Sequence, residues 1–285
     1  MSKSDLTPGL YLSYSSISTY QDCARKYYFR YVRGIVREKS LPEQYGIAFH
    51  EALDVYFDTR NVEKTTNKFD EHWPNDAMED KLRTRARAHK ILREYAARYA
   101  EDGITVTHKT DRELISFPIP NVRTEDGLSM YYTGKLDKIV HWDQMTLVME
   151  HKTTSRMMMN RFNPNLQIKG YVWLAHQMGY NVTGAMIDVI AIQMSKMDYA
   201  RDIQTMTHHQ EGEFIQLVTD VGNNIVRDLS RSRFTPNFDS CTQYGDCAYR
   251  RICSFSPELH EGIIRSDYTV DVPDNAGKYK KEIEQ

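Results

Sequence analysis

Cysteine is scarce in this sequence, with four in 285 residues. That is too few to hold a fold of this size together by disulfides, but enough for one metal centre. An excess of either charge is also missing, since 37 Lys and Arg face 39 Asp and Glu for a formal net charge of -2. A uniformly basic coat for nucleic acid is therefore excluded. A local basic groove is not, because net charge is silent about distribution. No apolar run approaches the roughly 18–20 residues that span a membrane, and the polar start lacks the apolar segment of a secretory leader. The expectation is a soluble cytoplasmic protein without a membrane partner. Internal repeats and low-complexity blocks are absent, which leaves a globular chain with room for one main core and helical additions.

The first hundred residues read as helix. Serines in the run Leu12–Tyr20 can cap a helix that starts near Ser16 and continues through Tyr31. Tyr20, Tyr27, Tyr28 and Tyr31 recur on it at helical spacing, interleaved with Arg25, Lys26, Arg30 and Arg33. That pattern suits either a base-stacking surface or an amphipathic helix with a wet basic side. Gly46 opens a second stretch, in which Ile47, His50, Leu53 and Phe57 share a stripe. Residues 60–80 read as irregular, and residues 81–101 as a long basic helix ending at Gly103.

The pattern then changes to strand over 104–119, 130–140 and 145–152, with a hairpin through His141–Gln144. Helix returns over 164–179. Residues 183–193 form the most apolar strand, as a central one should be, and another strand is expected over 199–207. Helix 211–230, a cysteine segment at 241–253 and a polar tail complete the chain. The class implied is α/β, a mixed sheet flanked by helices with an N-terminal helical insertion. The consecutive regions are 1–103, 104–230 and 231–285, within one compact unit.

The chemistry concentrates in Gly134-Lys135-Leu136-Asp137 and in Glu150-His151-Lys152-Thr153. Spacing of two puts Glu150 and Lys152 on one side of a strand, and Asp137 on a paired neighbour could face them. Two converging carboxylates make a hard oxygen site for Mg²⁺ or Mn²⁺. A lysine beside them can orient a water and offset charge developing on a phosphate. An exposed edge strand carrying an ordinary Glu–Lys surface pair would show the same spacing. Cys23, Cys241, Cys247 and Cys253 suit either a [4Fe–4S] cluster or a structural Zn²⁺, although zinc sites favour tighter local pairs.

Taken together, these motifs resemble the PD-(D/E)XK nuclease superfamily, and within it the RecB-like branch that includes the iron–sulfur exonucleases of CRISPR adaptation and the exonuclease V group. The run SYSSISTYQDCARKYYFRYV, the helix GIAFHEAL, the pair GKLD and EHKTTS, the helix QIKGYVWLAH and the C-terminal cysteine trio carry the resemblance, in family order. It implies a restriction-endonuclease-like core with a C-terminal iron–sulfur segment. Asp137 and Glu150 become metal ligands, with His50 and the carbonyl of His151 completing the set. Lys152 becomes the catalytic lysine, while Gln167 and Tyr171 approach the scissile phosphate. Cys23 with the trio becomes the ligand set of a [4Fe–4S] cluster. Glu113 is a further candidate for the site. Two departures stand out: His151 occupies a position that is apolar or tyrosine in many relatives, and Thr154 follows the Lys-Thr pair where glycine is usual. The implied function is a metal-dependent DNA nuclease, an exonuclease on single strands, with recombination or CRISPR-adaptation proteins as partners. A non-catalytic or partner-activated end-processing subunit, or an iron–sulfur DNA-binding protein, would carry much of the same sequence. No GxxxxGK[ST] phosphate loop is present, so any helicase motor lies in another chain.

Overall fold

The computed structural model describes residues 9–73, 80–110, 113–124, 127–157, 165–194, 196–243 and 245–271. The chain forms two compact units that interleave along the sequence: one takes 39–113 and 135–207, the other takes 1–38, 114–134 and 208–285. This partition differs from the consecutive regions expected above.

The unit of residues 39–113 and 135–207 is built on a five-stranded sheet. Its strands are β3 (Thr105–Lys109), β6 (Lys138–Trp142), β7 (Met145–Thr154), β8 (Gly184–Ile192) and β9 (Met197–Thr205), in the order β3-β6-β7-β8-β9. Only β7 and β8 run parallel. A parallel pair needs a crossover, and helix α6 (Leu166–Gln177) supplies it. All nine residues of β8 are buried, as a central strand covered on both faces requires. Helices α3 (Leu41–Thr59), α4 (Val62–His72) and α5 (Arg85–Arg98) pack on one face. There Tyr45, Phe49, Phe69 and Trp73 form an aromatic core with Leu147 and Met149 of β7 and Met186 of β8. Alternation then turns Val148, Glu150 and Lys152 to the other face. Helix α3 starts at Leu41, five residues earlier than Gly46, because Ser40 and Glu43 form a capping box and Pro42 sits in the first turn. Helix α4, read as irregular from the sequence, buries only Thr65, Thr66 and Phe69.

In the other unit, β5 (Ser129–Gly134) pairs parallel with β1 (Gly9–Ser13) and antiparallel with β4 (Ile115–Arg123). The expected strands 104–119 and 130–140 are thus each divided between two sheets. Helices α1 (Tyr14–Asp22) and α7 (His208–Ser230) accompany this sheet. Gly222 of α7 lies so close to β5 that a Cβ would meet the Met130 sulfur at 2.5 Å. The single helix expected through Tyr31 is broken at Cys23, whose φ of -165 and ψ of 113 are extended. A short α2 (Ala24–Tyr27) and a π-turn (Tyr28–Val32) follow. A second small core gathers Phe29 and Ile35 with Tyr249 and Ile252 of the cysteine segment and Ile264 of α9 (Pro257–Asp267). Strand β2 (Ile35–Val36) pairs with β10 (Thr269–Val270), and Tyr249 donates to the carbonyl of Ile35 at 2.7 Å. Among the described residues no helix is long and apolar enough to cross a membrane.

Candidate functional site

Asp137 sits in the three-residue break between β5 and β6, immediately before the hairpin that β6 makes with β7. The hairpin turns at Asp143 and Gln144, both at positive φ, which is the two-residue turn that matches strand twist. Asp137 is 5% exposed and Glu150 is 3% exposed. Carboxylates this buried need partners. Asp137 accepts from the His151 backbone N–H at 2.9 Å and pairs with His50 Nδ1 at 3.2 Å. Glu150 accepts from Lys152 Nζ at 2.6 Å and from Gln167 Nε2 at 3.1 Å, both on Oε1. Lys152 also donates to Gln167 Oε1 at 2.8 Å, and Gln167 Nε2 donates to the Tyr171 hydroxyl at 2.9 Å.

Helix caps explain this placement. Asn165 accepts from the backbone N–H groups of Gln167 and Ile168, starting α6 so that Gln167 occupies its first turn. Tyr171 follows four residues later on the same side. On α3, His50, Asp54 and Phe57 fall on one stripe and all meet the hairpin: His50 at Asp137, Asp54 at Lys138, and the Phe57 ring 5.3 Å from that of His151.

The two carboxylates differ electrostatically. Burial works to raise the Asp137 pKa, but His50, joined by His151 and Lys138, overrides it and holds the carboxyl well below the usual range. Burial lifts the Glu150 carboxyl above its ordinary value despite the opposing pull of Lys152, and the charge of Asp137 adds to the rise. Asp137, His50 and Lys152 therefore all act electrostatically on Glu150. Among the described residues no group of three or more His, Cys, Asp or Glu is arranged to hold a metal ion. The donor chemistry nevertheless fits a hard divalent cation: two buried carboxylates and an imidazole, with no hydrogen bond among the described residues using Glu150 Oε2.

Behind this face lies a buried polar chain that the sequence reading missed. His151 Nδ1 lies 2.8 Å from Asp188 Oδ2 and its Nε2 lies 3.0 Å from Lys138 Nζ. Lys138 reaches Asp54 at 2.6 Å. Asp188 also accepts from Tyr95 at 2.5 Å and from Arg201 Nε at 3.0 Å. Asp188 was the available signal, a lone carboxylate inside the apolar run GAMIDVIAI. Glu113 is exposed outside any strand, and no contact among the described residues joins it to Asp137 or Glu150. Met158 and Met159, which follow β7 in the sequence, lie outside the described residues. Past Lys152, a cavity of roughly 280 Å³ opens at the end of β7, lined by Pro42, Tyr45, Leu82, Arg83, Thr153, Thr154, Ser155 and Ile192.

The cysteines lie in the other unit, all four as free thiols. Cys23, at the helix break, accepts from the Asn237 N–H at 3.3 Å. Cys241 ends a 3₁₀ turn (Phe238–Cys241), and its carbonyl accepts from the Cys247 N–H at 2.9 Å. Cys253 ends α8 (Arg250–Cys253). Burial raises its thiol pKa against the pull of Arg25, and both Cys247 and Cys23 act on it electrostatically. The tyrosines beside Cys23 turn toward protein: Tyr27 is buried and Tyr28 stacks on Phe234 with centroids 4.9 Å apart.

Three comparisons bear on this arrangement. The chain matches the family model described as "PD-(D/E)XK nuclease superfamily" over residues 11–254. A solved structure from Eubacterium rectale named "Putative exonuclease" aligns with TM-score 0.50 at 14% identity, covering 85% of this chain and 87% of its own. A crystal structure named SSO0001 aligns at 11% identity with TM-score 0.36, covering 88% of this chain and 89% of its own. No curated protein sequence matches the chain. The family match, which takes in both compact units, makes this chain a member of the PD-(D/E)XK nuclease superfamily.

Proposed function

We propose that this nuclease is a divalent-metal-dependent deoxyribonuclease of the RecB-like branch that trims single-stranded DNA from its ends. The observation that carries the reading is the hydrogen-bonded set Glu150–Lys152–Gln167–Tyr171 beside the buried Asp137. Asp137, Glu150 and His50, with the carbonyl of His151, are the groups that would hold Mg²⁺ or Mn²⁺. Such an ion, when bound, supplies a water nucleophile at neutral pH and polarises the phosphate. Lys152 has three N–H donors, and among the described residues two of them are engaged, with Glu150 and Gln167, which leaves one to meet a phosphate oxygen as charge develops there. Gln167 holds that ammonium in place, and Tyr171 holds Gln167. The cavity beyond Lys152 supports binding of an unpaired strand. Tyr45, Leu82 and Ile192 give it an apolar wall for a base, and Thr153, Ser155 and Arg83 give it polar groups for the backbone.

A [4Fe–4S] cluster on Cys23, Cys241, Cys247 and Cys253 belongs to the same proposal. The supporting observations are that Asn237 bonds both Cys23 and Cys241, that the Cys241 carbonyl accepts from the Cys247 N–H, and that Cys247 and Cys253 pack on the same small core. Its role is structural, joining the first helix to the C-terminal segment. Recombination or CRISPR-adaptation proteins are the expected partners.

The test is a paired assay of strand cleavage and Mn²⁺ binding on folded Glu150→Ala and Lys152→Ala. Both should lose cleavage by about 10²–10³-fold or more, the first with loss of the ion and the second with the ion retained. Wild-type-like cleavage in either would move the active site elsewhere. Equal cutting of circular and linear single strands would remove the exonuclease assignment and leave the nuclease.

A further inference from the structure

We propose that the Lys138–His151 hydrogen bond is a clasp that sets the spacing of the Asp137 and Glu150 carboxylates from the opposite face of the sheet. This rests on the reading of those two carboxylates as the ligands of a divalent ion.

Each clasp residue directly follows one carboxylate in sequence. Lys138 follows Asp137, and His151 follows Glu150. Strand alternation sends both side chains to the face covered by α3 and α5, away from Lys152 and Gln167. There they meet at 3.0 Å, joining β6 to β7 directly behind the site. The joint has a fixed polarity. A lysine ammonium can only donate, so Nε2 of His151 is the acceptor and the ring proton sits on Nδ1. That proton is donated to Asp188 at 2.8 Å. Lys138 is held in turn by Asp54, and Asp188 by Tyr95 and Arg201. A flipped ring would present C–H groups in place of both nitrogens, so the buried hydrogen bonds to Lys138 and Asp188 would be lost together.

His151 also controls Asp137 through its backbone, because its N–H donates to Asp137 Oδ2 at 2.9 Å. Movement of the ring would therefore shift the residue that is peptide-bonded to Glu150 and hydrogen-bonded to Asp137 together. Neither clasp side chain reaches the Glu150–Lys152 face, so both are positioning residues. Stability alone does not call for this arrangement, since buried ion pairs replaced by well-packed apolar residues are commonly as stable or more so.

That last point supplies the test. The double variant Lys138→Met with His151→Leu removes both partners of the clasp. Asp188 keeps Tyr95 and Arg201, and Asp54 is left partly open to water. Mn²⁺ affinity is measured by electron paramagnetic resonance of the free ion, alongside thermal unfolding, in wild type, the double variant, His151→Gln and Glu150→Ala. The expectation is a folded double variant with Mn²⁺ affinity about 10–100-fold weaker, the range for residues that orient metal ligands. His151→Gln, which can still accept from Lys138 and donate to Asp188, should stay within roughly threefold of wild type on the same scale. Lys138→Met alone takes the place of the double variant if that one does not fold. Wild-type affinity in the folded, clasp-free variant overturns the clasp while the active-site reading stands. Equal weakening in His151→Gln also overturns it, because the hydrogen bonds would then not matter. Unchanged affinity in Glu150→Ala overturns the active-site reading itself, and the clasp with it.

Discussion

The carboxylate site and the cysteine group are built on opposite plans. Asp137, Glu150 and Lys152 lie on or beside adjacent strands, and backbone ladders on both sides hold β7 in register with β6 and β8. Their side chains are held further by Gln167 and His50, so this hydrogen-bonded arrangement is built into the fold itself. The four cysteines instead sit at a helix break, a 3₁₀ turn, a loop and a four-residue helix. Elements that short have little intrinsic stability. They are drawn from the two ends of the chain, and a small core around Phe29 and Tyr249 packs against Cys247 and Cys253. A site inherited from a sheet should tolerate loss of its ligand. One assembled from turns should depend on it.

The strongest way to break this contrast is Cys23→Ser. Removing the only N-terminal thiol should abolish the cluster, expected at about four irons per chain in the wild type. The lost constraint is roughly 4–5 kcal/mol by analogy with a long disulfide loop. Iron and sulfide analysis with thermal unfolding checks this. Glu150→Ala, by contrast, should keep its iron and fold. Stoichiometric zinc without iron in anaerobically prepared wild type would exclude the cluster, and equal destabilisation by the two variants would erase the contrast.

Gln167→Ala probes preorganisation within the sheet site. Lys152 loses one of its two anchors and Glu150 one of its two donors. A displacement of about 1 Å at a reacting group can lower the rate about 10²-fold, and that is the expected fall in kcat. KM should barely move, and stability should change by about 1 kcal/mol, the worth of one or two hydrogen bonds. A rise in KM with unchanged kcat would make Gln167 a strand-binding residue instead.

The same contrast explains what could be read from the sequence. β8 was legible because burial on both faces leaves a local mark, and the hairpin was legible as a short connection over His141–Gln144, although its turn is confined to Asp143 and Gln144. Glu150 and Lys152 were legible through their spacing of two. The break at Cys23 was not, because helical periodicity in Tyr20, Tyr27 and Tyr31 runs straight across it. The exit of the chain from one sheet to the other at Lys135–Asp137 was equally hidden, since only three residues separate β5 from β6 and none is a proline or glycine. Helix α4 was missed because Thr65 and Thr66 contribute so much of its buried side. The partners of His151 come from Asp188, Lys138, Tyr95 and Arg201, and no local pattern assembles a set so dispersed. The departure at His151 was visible, but its meaning lay in contacts across β6, β8, β9 and α5.

Leu82→Trp sharpens the boundary of the sheet site. The larger ring should fill much of the cavity beyond Lys152, which neither carboxylate touches. KM for single-stranded DNA should rise about tenfold, equivalent to about 1.4 kcal/mol of lost binding, with kcat and Mn²⁺ affinity unchanged. An unaltered KM would place the strand outside this cavity.

The smallest expected effect is at the far end of the β6–β7 hairpin. Asp143 and Gln144 have φ of 43 and 65. A left-handed conformation disfavours a residue with a Cβ by about 1–2 kcal/mol, whereas Asp-Gly is a preferred pair for this turn. Gln144→Gly relieves that strain but adds freedom to the unfolded chain, which offsets roughly 0.5–1 kcal/mol of the gain. A net stabilisation near 0.5 kcal/mol remains, or about 1–2 °C in Tm on the scale of a 150–250-residue protein. Because β6 and β7 are already held by the full ladder from Lys138–Met149 to Trp142–Met145, the change should not reach Asp137 or Glu150. Cleavage and iron content should stay at wild-type values. A gain in Tm accompanied by altered cleavage would mean that the hairpin flexes as a unit and that the carboxylates are less preorganised than their hydrogen bonds suggest.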